Sequence, residues 1–276
     1  MNFTHFSKNG ELLPLTEALI PLNDIRLQYG FGVYESLRVR NNIIYFVKEH
    51  TDRLFESARL IDLPHPYSKE DIARFLIELV EKNKTESCNI KVLLIGGATA
   101  EESLLFIFLL APLFPDRKLY TYGATTETFH YERFMPNAKT LNMLPSYLAY
   151  SKAKKNHHYD ALFIDRDETI IEGTRTNFFA IKDSTIITPP KDVVLNGVVR
   201  QTVIHTALKN RFQLKEERIP LFSLSEFDGA FVTSTSSKIM PIKQVDDFTF
   251  AEIPQKLREL MKYYDTFLQE SKGIFS

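Results

Sequence analysis

The stretch from Asn137 to Asp165 does most to limit what this chain can become. Lys139 follows a Pro136-Asn137 turn, a helical run follows the lysine, and Tyr159 to Ile164 then forms a strand pattern. Leu144, Leu148, Ser151-Lys152 and Lys155 recur at helical spacing, which predicts a short helix with one apolar stripe. A lysine set between a turn and packed structure loses hydration; its pKa falls and its amine becomes a usable nucleophile. The same position also suits an ordinary surface lysine.

Elsewhere, strand, helix and turn signals alternate. Phe3 to Phe6 and Glu11 to Leu13 flank Lys8-Asn9-Gly10, and Asn-Gly is a strong hairpin signal. Pro21-Leu22-Asn23-Asp24 predicts a loop before Tyr29-Gly30-Phe31-Gly32. Val33 to Val39 alternates as a strand, and Ile43 to Val47 returns after a turn. Lys48 to Ile61 predicts a helix, and Ser68 with Asp71 predicts a capping box at the start of the next. Asn89 to Ile95 and Leu104 to Ala111 are expected strands. Pro112 to Lys118 is the best linker, so the expected domains are 1–115 and 116–276. The second is expected to open on a strand near Leu119 to Thr125, followed by hairpins at Ala161–Ile171 and Phe178–Thr188. A helix should run from the Asn196-Gly197 turn to about Arg211, then a strand at Ala230 to Thr233 and a last helix at Pro254 to Gln269.

At 276 residues the chain suits one large domain or two modest ones. A net charge of −1 offers nothing to nucleic acid or an anionic membrane. No apolar run approaches the roughly 20 residues of a membrane span, and no apolar signal core opens the chain. The one cysteine, Cys88, permits no internal disulfide and no metal-binding pair. These features predict a cytoplasmic protein without a metal centre.

Several stretches could carry chemistry. Asn196-Gly197-Val198-Val199-Arg200 opens a helix, where unpaired N–H groups and the dipole attract an anion. Thr233-Ser234-Thr235-Ser236-Ser237 adds hydroxyls after a strand, and Arg53 could add a bidentate charge. Each also suits a plain cap, turn or surface pair. Glu172, leaving an apolar strand, needs a cationic or protonated partner unless it is solvated; a pyridinium nitrogen is one such partner.

In this order the pieces resemble the class IV, or fold-type IV, pyridoxal-phosphate aminotransferases: branched-chain aminotransferase, D-amino acid aminotransferase and aminodeoxychorismate lyase. The resemblance runs from the Asn9-Gly10 hairpin to Pro241. It rests on Tyr29-Gly30-Phe31-Gly32-Val33-Tyr34-Glu35, His50-Thr51-Asp52-Arg53-Leu54, Lys139-Thr140-Leu141-Asn142, Glu172-Gly173-Thr174-Arg175-Thr176-Asn177, Leu195-Asn196-Gly197-Val198-Val199-Arg200 and Thr233-Ser234-Thr235-Ser236-Ser237. It implies an α+β chain with a small N-terminal α/β domain and a larger C-terminal domain. The larger domain has a β-barrel-like core and carries the Schiff-base lysine. It further implies a homodimer that binds pyridoxal 5′-phosphate and acts on an amino acid and a 2-oxo acid. By the same resemblance Lys139 is the catalytic lysine. Arg53, Glu172, Asn177, Gly197, Val198, Val199, Thr235 and Ser236 hold the cofactor, and Tyr34 lines the substrate pocket.

The substrate machinery matches less well than the cofactor machinery. Phe31 replaces the usual Asp, Val199 a common Thr, and Leu144 a Tyr; Lys91 stands where branched-chain enzymes have Arg. Candidates for the substrate carboxylate are Arg38 first, then Arg175, then Lys91, with the amides of Ser236 and Ser237 as the fallback. Three functions are consistent with these residues: an aminotransferase for a small branched-chain or D-amino acid, a lyase releasing pyruvate and 4-aminobenzoate, and a non-catalytic binding protein on the same fold.

Overall fold

The computed structural model describes residues 3–20, 25–112 and 114–271, so the loop expected at Pro21-Leu22-Asn23-Asp24 lies outside the described residues. The described residues divide into two compact units: those within Met1–Leu113, Ala138–Asn142 and Ser271–Ser276 form one, those within Phe114–Asn137 and Met143–Glu270 the other.

The first unit comprises β1 (His5–Lys8), β2 (Glu11–Pro14), α1 (Ile25–Gln28), β3 (Gly32–Arg40), β4 (Ile43–Ile44), α2 (Val47–Leu60), α3 (Lys69–Asn83), β5 (Ser87–Ile95) and β6 (Leu104–Leu110). Its sheet has the order β2-β1-β6-β5-β3-β4, with every pairing antiparallel. Asn9 (φ 54°) and Gly10 (φ 90°) turn the first hairpin, as Asn-Gly predicts. The Ser68–Asp71 capping box starts α3. Alternation sorts the sheet into two faces. Val33, Leu37 and Val39 of β3, with Ile90, Val92 and Leu94 of β5, pack on Leu54 and Ala58 of α2 and Ile72, Leu76 and Leu79 of α3. Each fully buried leucine there contributes about 1.5–3 kcal/mol. Tyr34, Ser36 and Arg38 take the opposite face, in register with Leu93, Lys91 and Asn89.

The lysine segment corrects the expected domain division. Residues 138–142 belong to the first unit, not to a continuous 116–276 domain, because they add to the edge of β3. Val33 and Thr140 form an antiparallel bridge. Tyr34 N donates to Lys139 O and Leu141 N to Gly32 O, both at 2.9 Å. Gly32 permits this approach: a Cβ there would lie 2.7 Å from Leu141 Cδ1 and from Leu94 O.

The second unit holds α4 (Arg117–Tyr122), β7 (Ala124–His130), α5 (Leu144–Lys155), β8 (Asp160–Ile164), β9 (Thr169–Gly173), β10 (Asn177–Lys182), β11 (Thr185–Thr188), α6 (Val198–Lys209), β12 (Gln213–Glu216), β13 (Ile219–Pro220), β14 (Gly229–Ser234), β15 (Lys238–Val245), β16 (Phe248–Thr249) and α7 (Gln255–Glu270). Strands β10-β14-β15-β7-β8-β9 follow one another, and β9 pairs back to β10, so six strands close on themselves. All six contribute to one buried cluster, which includes Ala124, Leu162, Ile170, Phe178, Val232 and Met240. On the outer face Phe179, Phe231 and Ile239 pack against Val199 and Val203 of α6 and Leu257 and Leu260 of α7. Strands buried on both faces account for the near-continuous apolar runs in the sequence.

Two local expectations are corrected. The strand expected near Leu119 to Thr125 is helix α4 followed by β7: the Asp116 side chain caps Lys118 N, and Gly123 (φ 85°) ends the turn. The helix after Lys139 forms, but its buried face is Ser146, Ala149 and Ala153, while Leu144 and Leu148 are exposed. Small residues face the strands because they let the helix backbone approach closely.

Candidate active site

In the first unit, Lys139 stands on the sheet face that carries Tyr34. Its Nζ lies 4.5 Å from the centroid of the Tyr34 ring, and Lys91 Nζ lies 3.5 Å from the same centroid. Half-buried Lys91 is pushed down to about 8, first by burial and further by the Lys139 amine, against the opposing effects of Tyr34 and Glu35. The backbone of Lys139 is held on two sides, with its carbonyl on β3 and its N–H donated to Ser57 Oγ on α2 at 3.1 Å. Arg38 lies two residues beyond Ser36 on the face of Tyr34, so it shares that surface with Lys91.

Arg53 is placed by residues that sequence reasoning left without a role. Its Nε and Nη2 donate to the two carboxylate oxygens of Glu35, at 2.6 and 2.9 Å. Glu35 is 1% exposed and also accepts from His50 Nδ1 at 2.7 Å and from Ser36 N at 3.1 Å. Burial by itself would raise the Glu35 carboxyl, but Arg53 and His50 outweigh it and hold the group well below the usual carboxylate range. Burial pushes the His50 imidazole down against the pull of Glu35, so neutral His50 donates to an ionised Glu35. One edge of the guanidinium is thereby fixed. The sequence signal was available: Tyr34-Glu35 on a strand with His50 and Arg53 one turn apart on a helix.

In the second unit Glu172 lies where the barrel closes, since Glu172 and Asn177 are the paired residues of β9 and β10. The carboxylate is 3% exposed. It accepts from Arg133 Nε at 2.5 Å, from Leu195 N at 3.3 Å and from Asn177 Nδ2 at 3.5 Å. Arg133 is the cationic partner that the buried Glu required; it lies 39 residues upstream, where no spacing rule points to it. Below the loop, Asp160 is buried, and its carboxyl accepts from Thr174 Oγ1 at 2.5 Å and Thr176 Oγ1 at 2.9 Å. Burial pushes that carboxyl up, against the two threonines and Arg175. Arg175 is exposed, with its guanidinium 3.8 Å from the centroid of the Tyr150 ring.

The other expected anion-binding stretches, apart from Arg53, belong to this unit. Gly197 precedes α6, so the helix starts at Val198 and Val199, where N–H groups point out of the first turn. A Cβ on Gly197 would lie 2.1 Å from Asn177 Oδ1, and Asn177 Nδ2 donates to Leu195 O at 2.7 Å. Thr235 and Ser236 are half-buried in the turn between β14 and β15. Ser237 is fully buried. Its N–H donates to Ser234 Oγ at 3.1 Å, its hydroxyl lies 2.7 Å from the same oxygen, and its carbonyl accepts from Tyr120 OH at 3.0 Å. The polar groups of Ser237 thus build the turn, including the amide assigned to a substrate carboxylate. Thr233 Oγ1, opposite Asn177 in the ladder, is buried with no hydrogen-bond partner among the described residues.

The model of the class IV amino-transferase family matches residues 32–245. The chain is 31% identical over 256 residues to D-alanine aminotransferase of Listeria monocytogenes serotype 1/2a, covering 88% of each. It is 32% identical over 253 residues to a probable branched-chain-amino-acid aminotransferase of Rickettsia bellii, covering 86% of each. The branched-chain aminotransferase structure from Thermoproteus uzoniensis superposes with a TM-score of 0.87 at 24% identity, over 98% of this chain and 96% of that one. A family match across most of the chain, two relatives above 30% identity and a fold shared nearly end to end lead to one conclusion: this protein is a class IV aminotransferase, a pyridoxal-phosphate-dependent transferase.

Proposed function

We propose that the enzyme moves an amino group between a small amino acid, D-alanine or a branched-chain amino acid, and a 2-oxo acid, with Lys139 as the working amine. The observation that carries this reading is the pair of lysines on one aromatic ring: Lys139 4.5 Å and Lys91 3.5 Å from the Tyr34 centroid. One amine is for the cofactor, the other for the substrate's carboxylate. The chain's donors fit pyridoxal 5′-phosphate: an amine for the aldehyde, a buried carboxylate for the ring nitrogen, and N–H, hydroxyl and guanidinium groups for the phosphate. The lack of room for any Cβ at Gly197 and the orphaned Thr233 hydroxyl support that fit. When bound, the cofactor supplies the carbonyl that the amine joins and the ring that takes up electrons from the substrate's Cα–H bond.

Lys139 would hold the cofactor's carbonyl carbon and, as a free amine, would take the α-proton and return it. Glu172, oriented by its pairing with Arg133, would hold a proton at the ring nitrogen. Asn177 and Leu195 N hold the carboxylate in place. Arg53, fixed edge-on by Glu35, and the first turn of α6 with Thr235 and Ser236 bind phosphate. Lys91 moves ahead of Arg38 and Arg175 as the carboxylate anchor, because it is the one that shares the Tyr34 ring with Lys139. The named relatives are aminotransferases, which favours transfer over the lyase and binding-protein alternatives.

A homodimer and a cytoplasmic location complete the proposal. Leu144, Tyr147 and Leu148 support the dimer: they form an exposed apolar stripe at i, i+3 and i+4 on α5, suited to a second copy. Among the described residues no helix is long and apolar enough to cross a membrane.

The test is direct. The enzyme loaded with pyridoxal 5′-phosphate is mixed with D-alanine, L-alanine, L-leucine, L-isoleucine and L-valine, each with 2-oxoglutarate. Formation of the matching 2-oxo acid with conversion of the cofactor to its amine form is expected for D-alanine or the branched-chain set. Turnover of none of them would overturn the substrate class.

A further inference from the structure

A hydroxyl on α2 interrupts the ladder at the lysine. Val33 and Thr140 form a bridge whose flanking bonds run from Tyr34 N to Lys139 O and from Leu141 N to Gly32 O. That pattern is the non-hydrogen-bonded pair of an antiparallel ladder, and the next pair, Tyr34 with Lys139, should then exchange two bonds. Only one of the two follows the ladder: the Lys139 N–H turns instead to Ser57 Oγ, at 3.1 Å. Ser57 is 0% exposed and lies on α2 one helical turn beyond Arg53, at i+4. Arg53 is itself locked onto β3 by two bonds to Glu35.

We propose that Ser57 is a positioning residue for Lys139: its hydroxyl draws the lysine's backbone out of the β3 ladder and holds it in register with Arg53 on the same helix. An interior hydroxyl must find a partner, and a strand that gives up a ladder bond must find a donor or acceptor elsewhere. Ser57 meets both needs at the residue that the enzyme uses as its amine. An alanine at this place would take away the acceptor of the Lys139 N–H, and the amine would shift along the strand relative to the guanidinium. The inference rests on Lys139 being the cofactor-bearing lysine and on Arg53 being a phosphate ligand.

The experiment compares apo-protein of the wild type, Ser57→Ala and Ser57→Cys. Each is mixed with pyridoxal 5′-phosphate or with pyridoxal, which lacks the phosphate. The product is trapped with cyanoborohydride, and the rate of label at Lys139 is followed by peptide mass spectrometry. Wild type should label at Lys139 and favour the phosphorylated aldehyde. In Ser57→Ala that preference should fall by roughly tenfold, as expected for one lost geometric constraint of hydrogen-bond size. Amide exchange at Lys139 should quicken. Ser57→Cys, which keeps a weak acceptor of similar size, should recover part of the preference. A general loss of packing would slow both aldehydes alike and leave their ratio unchanged, which would overturn the inference. An unchanged ratio with unchanged Lys139 exchange in a folded Ser57→Ala protein would overturn it too. Label on another lysine in the wild type would instead overturn the assignment of Lys139, and this inference with it.

Discussion

Glu35 shows how one residue's surroundings decide a site's behaviour. Its depressed carboxyl contributes stability that is complete above about 4.5, its ordinary value, and is lost as pH falls toward the lower folded value. Glu35→Gln leaves the largely buried Arg53 without its counter-charge and should cost about 3–5 kcal/mol at pH 7. The gap from wild type should narrow below pH ~4.5, because the unfolded chain's carboxyl takes up a proton there while the folded one, held lower by Arg53 and His50, stays ionised. Urea unfolding at pH 7 and pH 3 checks this; a gap that widens in acid would refute it. Lys91 has the opposite character. Its amine is pushed down to about 8, so it should acetylate with a midpoint near that pH, while exposed Lys48, raised by Asp52, reacts only in stronger base. Pulse labelling with mass spectrometry reads both. A Lys91 midpoint near 10.5 would mean that water reaches it fully.

Arg53→Ala should weaken pyridoxal-phosphate binding by about 1.5–3 kcal/mol, the worth of a charge-assisted contact. Equilibrium dialysis of the variant measures it, and unchanged affinity would remove Arg53 from the phosphate site.

Among the elements, α6 and the β9–β10 closure depend on each other. Glu172 and Asn177 make the pair that closes the barrel, and Asn177 then reaches Leu195 O just before α6. A methyl at position 197 would strike Asn177 Oδ1. Gly197→Ala should therefore displace the amide, loosen its contacts with Glu172 and Leu195, and weaken cofactor binding by at least ~1 kcal/mol. Thermal unfolding should change less than affinity does, because the barrel core lies elsewhere in the unit. Affinity equal to wild type would show that Asn177 can yield without loss.

For the whole molecule, the question is how many copies work together. The stripe of Leu144, Tyr147 and Leu148 leaves large apolar side chains in water, a cost that the proposed second copy would remove. Leu148→Glu should shift sedimentation from dimer to monomer at micromolar concentration while helical content stays constant, since the inward face of α5 is Ser146, Ala149 and Ala153. A variant that sediments like the wild type would place the interface on another surface.

Local rules carried much of the molecule. Asn9-Gly10, the Ser68–Asp71 box and the alternation of Val33 to Val39 determine their own structures, because turn chemistry, capping and side-chain period act within a few residues. The motif residues could likewise be named from order alone, Lys139 and Glu172 among them. Tertiary structure decided what those residues meet. It set Lys139 on β3, gave its N–H to Ser57, fixed Arg53 through Glu35 and paired Glu172 with Arg133. It also turned Leu144 and Leu148 outward, since periodicity finds an apolar stripe without saying which side the rest of the chain will cover. Each of these partners is distant in sequence, and its choice follows from backbone pairing and from the cost of burying a charge alone. Neither is written in any local pattern.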